Sequence, residues 1–281
     1  MKTQKYFITG ASGGLGIELV KKVLNEGHQV VATVRRPEAL AALSEQYGSR
    51  LIIEKLDVSE IAQIDAVAAR HNDVDVVINN AGGAILGAME ELSNAEVQQQ
   101  LDLNLVAPIY LTRAFLPAMR AKKSGTIVYI TSVGGRVGFA GDVMYHAAKF
   151  GLEGFAEALS QEIAGFGIKT IIVEPGSMKT DFIANICWTN ESEVYKQSAV
   201  GAMRRYIKES GEENLSGDPL KIAAAIYDLT RQAEPPLRTA LGVDTFATLQ
   251  KAYADNVRLL EEQKTLAESV TFEGKTGFMP S

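Results

Sequence analysis

The sequence predicts an α/β fold built on one parallel sheet of seven strands, on the strength of three observations. Short runs rich in β-branched residues alternate along the chain with segments of helical period, as repeated strand–helix–strand units require. A glycine-rich turn, Thr9-Gly10-Ala11-Ser12-Gly13-Gly14-Leu15-Gly16, lies directly between the first strand and the first helix. A chain of 281 residues with 46% apolar composition can also bury a sizeable core, at the upper end of what one domain holds.

Strands are expected at 4–9, 29–34, 51–56, 74–79, 124–131, 168–174 and 237–242, and helices at about 14–26, 37–46, 60–70, 93–120, 142–165, 218–232 and 246–268. At the first strand–helix junction the glycines let the backbone turn sharply and approach a pyrophosphate. The unpaired N–H groups of the helix N-terminus stabilise its charge. Gly10, Ser12, Gly13, Gly14, Leu15 and Gly16 are the residues expected there, in the spacing G-x-x-x-G-x-G. A glycine-rich turn by itself is more often only a turn, and it is the place between strand and helix that favours a dinucleotide.

The second strand, Gln29-Val30-Val31-Ala32-Thr33-Val34, ends where an acidic residue would bind the ribose 2′-hydroxyl of NAD. Arg35 and Arg36 stand there instead, and a guanidinium suits a 2′-phosphate through paired, charge-assisted hydrogen bonds. The expected cofactor is therefore NADP(H), against the plainer reading of two solvated arginines at a strand end. The third strand closes on Leu56-Asp57-Val58 at the carboxyl edge, where Asp57 is suited either to an adenine amine or to capping the next helix. After the fourth strand, Asn79-Asn80-Ala81-Gly82-Gly83 offers small residues beside which a ribose or flat ring can lie, with Asn80, Ala81 and Gly82 the candidates. Asn104 interrupts the apolar stretch Leu101, Leu103, Leu105, Val106, Ile109. A buried amide there must find partners, either a neighbouring helix or a water held behind a catalytic group.

The chemistry is expected where the fifth strand gives way to the fifth long helix. Ser132 follows the run Thr126-Ile127-Val128-Tyr129-Ile130, and Tyr145 and Lys149, four residues apart, share one face of a helix over 142–165. A phenol with a pKa of about 10 is a poor acid–base catalyst at neutral pH, and bringing it near neutrality takes about 4 kcal/mol. One ammonium at ~4 Å and an effective dielectric of ~20 supplies about that much. Ser132 would then hold a carbonyl oxygen where Tyr145 donates its proton, which describes reduction of a carbonyl by hydride plus proton.

In order and spacing, Thr9-Gly10-x-x-x-Gly14-x-Gly16, Asp57, Asn79-Asn80-Ala81-Gly82, Asn104, Ser132, Tyr145-x-x-x-Lys149 and Pro175-Gly176 with Thr180 resemble the short-chain dehydrogenase/reductase family, by motif over residues 4 to 182. The resemblance implies a Rossmann-like, doubly wound sheet in the order 3-2-1-4-5-6-7 and a catalytic set of Asn104, Ser132, Tyr145 and Lys149, with Lys149 also holding the nicotinamide ribose. It implies a nicotinamide-side loop in which Pro175, Gly176, Met178 and Thr180 touch the cofactor. It further implies a homodimer or homotetramer formed through the helices from 93 and from 142.

One catalytic domain is expected over 1–245, with a substrate lid at 177–217 and a C-terminal helical extension at 246–281 packed on the same domain. Residues 182–217 read as irregular and carry aromatic bulk, so Phe182, Ile186 and Trp188 are the candidate substrate contacts. Leu249, Tyr253, Val257 and Leu260 fall at helical spacing, while 274–281 reads as frayed.

Composition narrows the partners. A net charge of −6 and a pI near 5.3, with scattered Lys and Arg, argue against nucleic acid and anionic membranes and for a small, apolar carbonyl or alcohol substrate. The single Cys187 and the widely separated His28, His71 and His146 offer no metal site. With no leader-like segment and no apolar run of 18 residues, a cytoplasmic enzyme is expected. The reading is an NADPH-dependent reductase of ketones or aldehydes. Its rivals are a ketoreductase acting on acyl thioesters of fatty-acid synthesis and a catalytically silent NADP-binding redox sensor. A sensor needs no proton donor, so an intact Ser132-Tyr145-Lys149 set counts against it. A nucleotide-sugar epimerase or dehydratase would require another glycine spacing and a larger C-terminal domain.

Overall fold

The computed structural model describes residues 3–209 and 214–275. All seven expected strands form: β1 (Lys5–Ile8), β2 (Gln29–Val34), β3 (Leu51–Lys55), β4 (Val76–Asn79), β6 (Gly125–Ile130), β7 (Ile168–Pro175) and β9 (Arg238–Leu241). They pair in parallel in the order β3-β2-β1-β4-β6-β7-β9, the doubly wound arrangement that reverses between β1 and β4. The inner strands β2, β6 and β7 are buried along nearly their whole length, which is why they read as unbroken apolar runs and not as alternating ones.

Helices cover both faces. On one, α1 (Gly14–Asn25) and α8 (Pro219–Arg231) pack Leu15, Leu19, Val23, Ile222 and Ile226 against Ile8, Val30, Val128 and Ile171. On the other, α3 (Ile61–Arg70), α5 (Ala107–Lys122) and α6 (Val143–Ile163) place Ile64, Leu111, Phe115, Leu152 and Leu159 on Phe7, Val77, Ile127 and Ile172. A shorter helix, α2 (Ala41–Tyr47), precedes β3.

Three expectations change. The single helix expected over 93–120 is α4 (Asn94–Leu101), a π-helical turn at Asp102–Val106, and then α5. The segment after β7 is not irregular throughout: β5 (Ile85–Leu86) pairs with β8 (Cys187–Trp188), and α7 (Ala199–Glu209) follows. Residues 210–213 of the expected lid lie outside the described residues. Finally, α9 (Val243–Glu262) and the short α10 (Lys264–Ser269) form the C-terminal extension, but only its beginning packs on the body. Leu249 is buried, whereas Val257 and Leu260 are 56% and 70% exposed, so the apolar spacing marks an unpacked stripe beyond Tyr253. Of the stretch expected to fray, 276–281 lies outside the described residues.

Candidate active site

The carboxyl ends of β1, β4 and β6 open onto one crevice. Thr9 and Asn80 join two of its loops. Thr9 Oγ1 accepts from the N–H groups of Asn80 and Ala81, each at 3.0 Å, and Asn80 Nδ2 donates to the Thr9 and Gly10 carbonyls at 2.9 and 3.3 Å. Asn80 is therefore committed to holding the glycine turn, and Thr9 is a structural residue of the site that the glycine spacing did not single out.

Two glycines of the turn are required by geometry. Gly10 adopts φ +65°, and a Cβ on Gly16 would lie 2.1 Å from the Gly10 carbonyl oxygen and 2.7 Å from Asn80 Nδ2. The α1 N-terminus begins at Gly14 with no side-chain cap, so its first N–H groups face the crevice without intrahelical partners. Leu15 and Val58 are buried in the two cores, so only their backbone can serve a ligand. Ser12, Arg35 and Arg36 are exposed at the same edge. Asp57 Oδ1 accepts from the Ser59 N–H at 3.0 Å within the loop, and it does not cap the next helix, which begins at Ile61 after Glu60 with no side-chain cap.

On the far side of the crevice, α6 brings Tyr145 and Lys149 beside the end of β6. Ser132 lies close enough to the Tyr145 hydroxyl to act on its pKa through hydrogen bonding, and Ser132 Oγ accepts from the Gly134 N–H at 3.0 Å. Lys149 Nζ stands 5.5 Å from the Tyr145 ring centroid and donates to the Ile130 carbonyl at 2.9 Å. Burial pushes the Tyr145 phenol up, opposed by the Ser132 hydrogen bond, and the Asp142 charge raises it further. Burial lowers Lys149 to about 8. The expected depression of the phenol by the neighbouring ammonium is thus absent in the protein alone, because desolvation outweighs the Ser132 hydrogen bond on the phenol and the Glu153 charge on the ammonium.

The π turn sets Asn104, fully buried, against the loop after β4. Its Nδ2 donates to the Gly83 and Gln100 carbonyls at 2.9 and 3.2 Å, and its Oδ1 accepts from the Gly83 N–H at 3.3 Å. Buried Gln100, which sequence reasoning passed over, donates to the same Gly83 carbonyl at 2.8 Å. A Cβ on Gly82 would touch Asn104 Oδ1 at 2.9 Å and Lys149 Nζ at 3.6 Å, so Asn104 and Lys149 converge there.

The loop after Ser132 is fixed from α6. The Phe139 N–H donates to His146 Nε2 at 2.9 Å, so the proton sits on Nδ1, which donates to the Gly134 carbonyl at 2.8 Å; burial keeps this imidazole below its usual pKa.

After β7, Gly176 N–H donates to the Leu241 carbonyl at 3.1 Å, and Met178 turns toward the core and pairs its backbone with Gly217. A Cβ on Gly14 would lie 3.4 Å from Thr180, and the Phe182 ring stands 6.3 Å from that of Tyr145. This segment therefore spans from the glycine turn to the phenol. Ile186 sits half-buried in the turn before β8. Trp188 lies farther along, lining a small cleft with Leu86, Gly141, Val200, Met203 and Arg204. The surroundings of Trp188 are more charged than expected: Arg204 and Lys208 stand 5.8 and 5.2 Å from its ring. Arg204 also forms a buried ion pair with Glu91 at 2.7 Å.

Among the described residues no cluster of potential metal ligands occurs, and no helix is long and apolar enough to cross a membrane.

A doubly wound sheet with a glycine turn at its switch point and a Ser/Tyr/Lys set across the crevice defines a nicotinamide-dependent oxidoreductase. The chain belongs to the short chain dehydrogenase family, whose profile matches residues 4–190. It is 38% identical to the oxidoreductase BOA17 of Botryotinia fuckeliana, across 89% of this chain and 93% of that one. It is 34% identical to a 3-ketodihydrosphingosine reductase of Bacteroides thetaiotaomicron, across 86% and 89%. A short-chain dehydrogenase from Streptomyces avermitilis superimposes with a TM-score of 0.87 at 38% identity, over 96% of this chain and 99% of that one. The closed form of a serine dehydrogenase complexed with NADP+ gives 0.73 at 26% identity, over 85% and 94%.

Proposed function

We propose that the protein is an NADPH-dependent reductase of ketones or aldehydes, running in reverse as an alcohol dehydrogenase, with Tyr145 as the proton donor. The observation that carries this reading is the convergence of Ser132, Tyr145 and Lys149 on the crevice that faces the glycine turn. The crevice suits a dinucleotide: Gly10 and Gly14 hold left-handed backbone, the α1 N–H groups are free, and Arg35 and Arg36 stand exposed where a 2′-phosphate would lie. Such a cofactor supplies a hydride and, once oxidised, a positive charge.

The chain's own residues do the rest. Ser132 and the Tyr145 hydroxyl together receive the carbonyl oxygen, and Tyr145 passes its proton to that oxygen as negative charge develops on it. A phenol raised by burial stays protonated until that moment. Lys149, held on the Ile130 carbonyl, stabilises the phenolate left behind and is the group that would hold the nicotinamide ribose. Asn104 and Gln100 fix Gly83 and so the wall behind Lys149. Phe182, whose ring stands 6.3 Å from that of Tyr145, is placed to shield the phenol from water when a substrate is bound. The 3-ketodihydrosphingosine reductase among the relatives supports ketone reduction, and the NADP+-bound serine dehydrogenase supports the cofactor. On the same reading the enzyme works in the cytoplasm as a homodimer or homotetramer, on an apolar small molecule.

The test is Tyr145→Phe, which deletes the proton and little else. Turnover of a panel of apolar ketones and aldehydes, followed as NADPH oxidation, should fall by about 10²–10⁴-fold, while NADPH binding measured by fluorescence stays within about threefold. Undiminished turnover in Tyr145→Phe overturns the assignment.

A further inference from the structure

Gly134 is the point at which the loop after β6 meets α6. Its N–H donates to Ser132 Oγ at 3.0 Å, and its carbonyl accepts from His146 Nδ1 at 2.8 Å. A Cβ added there would lie 3.0 Å from His146 Nδ1 and 3.2 Å from Tyr145 Cε1, so the glycine is wedged between the imidazole and the phenol ring. Farther along the loop, the Phe139 N–H donates to the other ring nitrogen, Nε2, at 2.9 Å, and the Phe139 ring stands 5.5 Å from the imidazole. His146 is buried, and its own N–H donates to the Asp142 carbonyl at 3.0 Å. One side chain of α6 thus grips the loop at two places, one of them bonded directly to Ser132.

The grip depends on charge. A neutral imidazole offers one donor and one acceptor, and both are used here, Nδ1–H on the Gly134 carbonyl and Nε2 on the Phe139 N–H. A protonated ring carries two donors, so its Nε2–H would face the Phe139 N–H with nothing between them to accept. Either the loop or the ring must then move, and in both cases Gly134 loses its support. The neighbouring charges do not offset this. On α6, Asp142 stands before the helix without capping it, and burial pushes it up to about 8, so in acid it is an uncharged carboxylic acid. The Tyr145 ring lies 6.1 Å from the imidazole with its phenol kept protonated by burial, and Lys149 is turned to the Ile130 carbonyl. From the loop, Arg136 is turned to Glu174, and α7 approaches Gly141 with Val200 and Met203. Burial accordingly lowers His146, against its two backbone hydrogen bonds.

We propose that His146 is a positioning residue which, in its neutral form alone, holds Ser132 beside Tyr145 through Gly134, so that uptake of one proton by His146 disarms the site. Ser132 and Tyr145 must receive the carbonyl oxygen together, and a misplacement of about 1 Å in such a pair costs up to about a hundredfold in rate. The sign follows from the burial: this imidazole takes its proton less readily than an ordinary one of about 6.5, so the grip is complete above that value and is lost as the pH falls through the lowered one.

The proposal rests on the carbonyl-reductase reading, and two measurements keep them apart. Initial rates of NADPH oxidation with a panel of apolar ketones and aldehydes are taken from about pH 5 to about pH 8.5 on the parent, His146→Gln and His146→Phe, with kcat and KM resolved. Glutamine supplies a donor and an acceptor but does not titrate, whereas phenylalanine fills the space and supplies neither. The parent should show an acid limb in kcat that moves down by about one pH unit or more in His146→Gln, a variant that recovers kcat to within about fivefold of the parent near pH 8. His146→Phe should lose about tenfold to a hundredfold in kcat across the range, with KM for NADPH within about threefold. An acid limb that stays in place in His146→Gln, or a parental kcat in His146→Phe, overturns the proposal. The second measurement is amide hydrogen exchange at Gly134 and Phe139, each rate divided by its intrinsic rate at that pH. Protection should fall in acid in the parent and stay level in His146→Gln. If the parent reduces no ketone or aldehyde, the reductase reading fails and exchange alone decides: acid loss of protection confined to the parent supports the proposal, and the same profile in both proteins overturns it.

Discussion

Burial drives Tyr145 and Lys149 in opposite directions, the phenol upward and the ammonium down to about 8, so each is pushed toward its neutral form. Ser132 is the only one of their immediate partners that pulls the phenol back. The pair was legible in the sequence because a four-residue spacing on a helix fixes its geometry, and the glycine turn was legible because only glycine fits where a Cβ would strike backbone at 2.1 Å. Asp142 was not, since an aspartate before a helix ordinarily means a cap, and only the coordinates reveal that it makes none. Arg35 follows β2 directly, at the position where an NAD site would carry an acidic residue, and it is exposed. We expect Arg35→Asp to remove the preference for NADPH over NADH, since a lost charge-assisted phosphate contact costs about 1.5–3 kcal/mol, or about tenfold to a hundredfold in affinity. Ratios of kcat/KM for the two cofactors check this, and equal efficiency with both in the parent defeats it.

Among the elements, all seven strands could be read as short apolar runs, since strands buried in the middle of a sheet need no alternation, whereas their order was legible only through the family resemblance. What escaped was short or depended on distant partners. The two-residue strands β5 and β8 carry no period, and α7 follows a stretch whose polar residues gave it the look of a loop. The function of α9 was hidden for a similar reason. Its contribution is made at its first turn, where the Asp244 carboxylate accepts from the Ser177 N–H and hydroxyl at 2.8 and 2.7 Å. Burial works against that charge, but the bonds from Ser177 and Thr245 hold the carboxyl below its usual range. The helix thus pins the loop after β7 from outside the sheet. Asp244→Ala should raise KM for the cofactor several-fold and lower stability by about 1–3 kcal/mol, because the Ser177 donors lose their acceptor. Urea unfolding and initial-rate kinetics measure the two effects, and a variant with an unchanged KM would leave α9 without a role in the site.

At the level of the whole molecule, the segment after β7 divides into two parts of unequal firmness. Its second part is bolted to the body: β8 pairs with β5, and Arg204 reaches Glu91 and Thr189 in a buried network that Ser192 completes. Burial opposes the Glu91 charge, but hydrogen bonds from Ser192, Ala88 and Thr189 and the Arg204 guanidinium hold its pKa below the usual carboxylate range. The first part, Thr180 to Ile186, sets Thr180 against Gly14 and Phe182 against Tyr145, and the hydrogen bonds described for it are local turns. Hydrogen exchange with and without NADP should therefore gain protection at 178–186 and change little at 187–209. Uniform protection across both parts would mean that the segment moves as one body. A second tie crosses the sheet's far edge, where Arg136 bonds Glu174 at 3.1 Å and lies 5.2 Å from the Tyr253 ring, while Arg238 bonds Glu153 and Glu157, each at 2.9 Å. These contacts join the loop after Ser132, the helix that carries Lys149 and the C-terminal helix.

The π turn at Asp102–Val106 has a consequence for how this chain tolerates insertion and deletion. A helix rotates by about 100° for each residue, and one π turn takes in a residue more than the surrounding helix would. The apolar face of α5 is thus offset from that of α4 by about that angle, and an apolar period counted straight through both loses its phase at the turn. Removing a single residue from the turn would merge α4 and α5 into one rod and swing Asn104 or its neighbours away from Gly83. A one-residue gap in this stretch of any descendant sequence would therefore mark a protein whose wall behind Lys149 had been rebuilt.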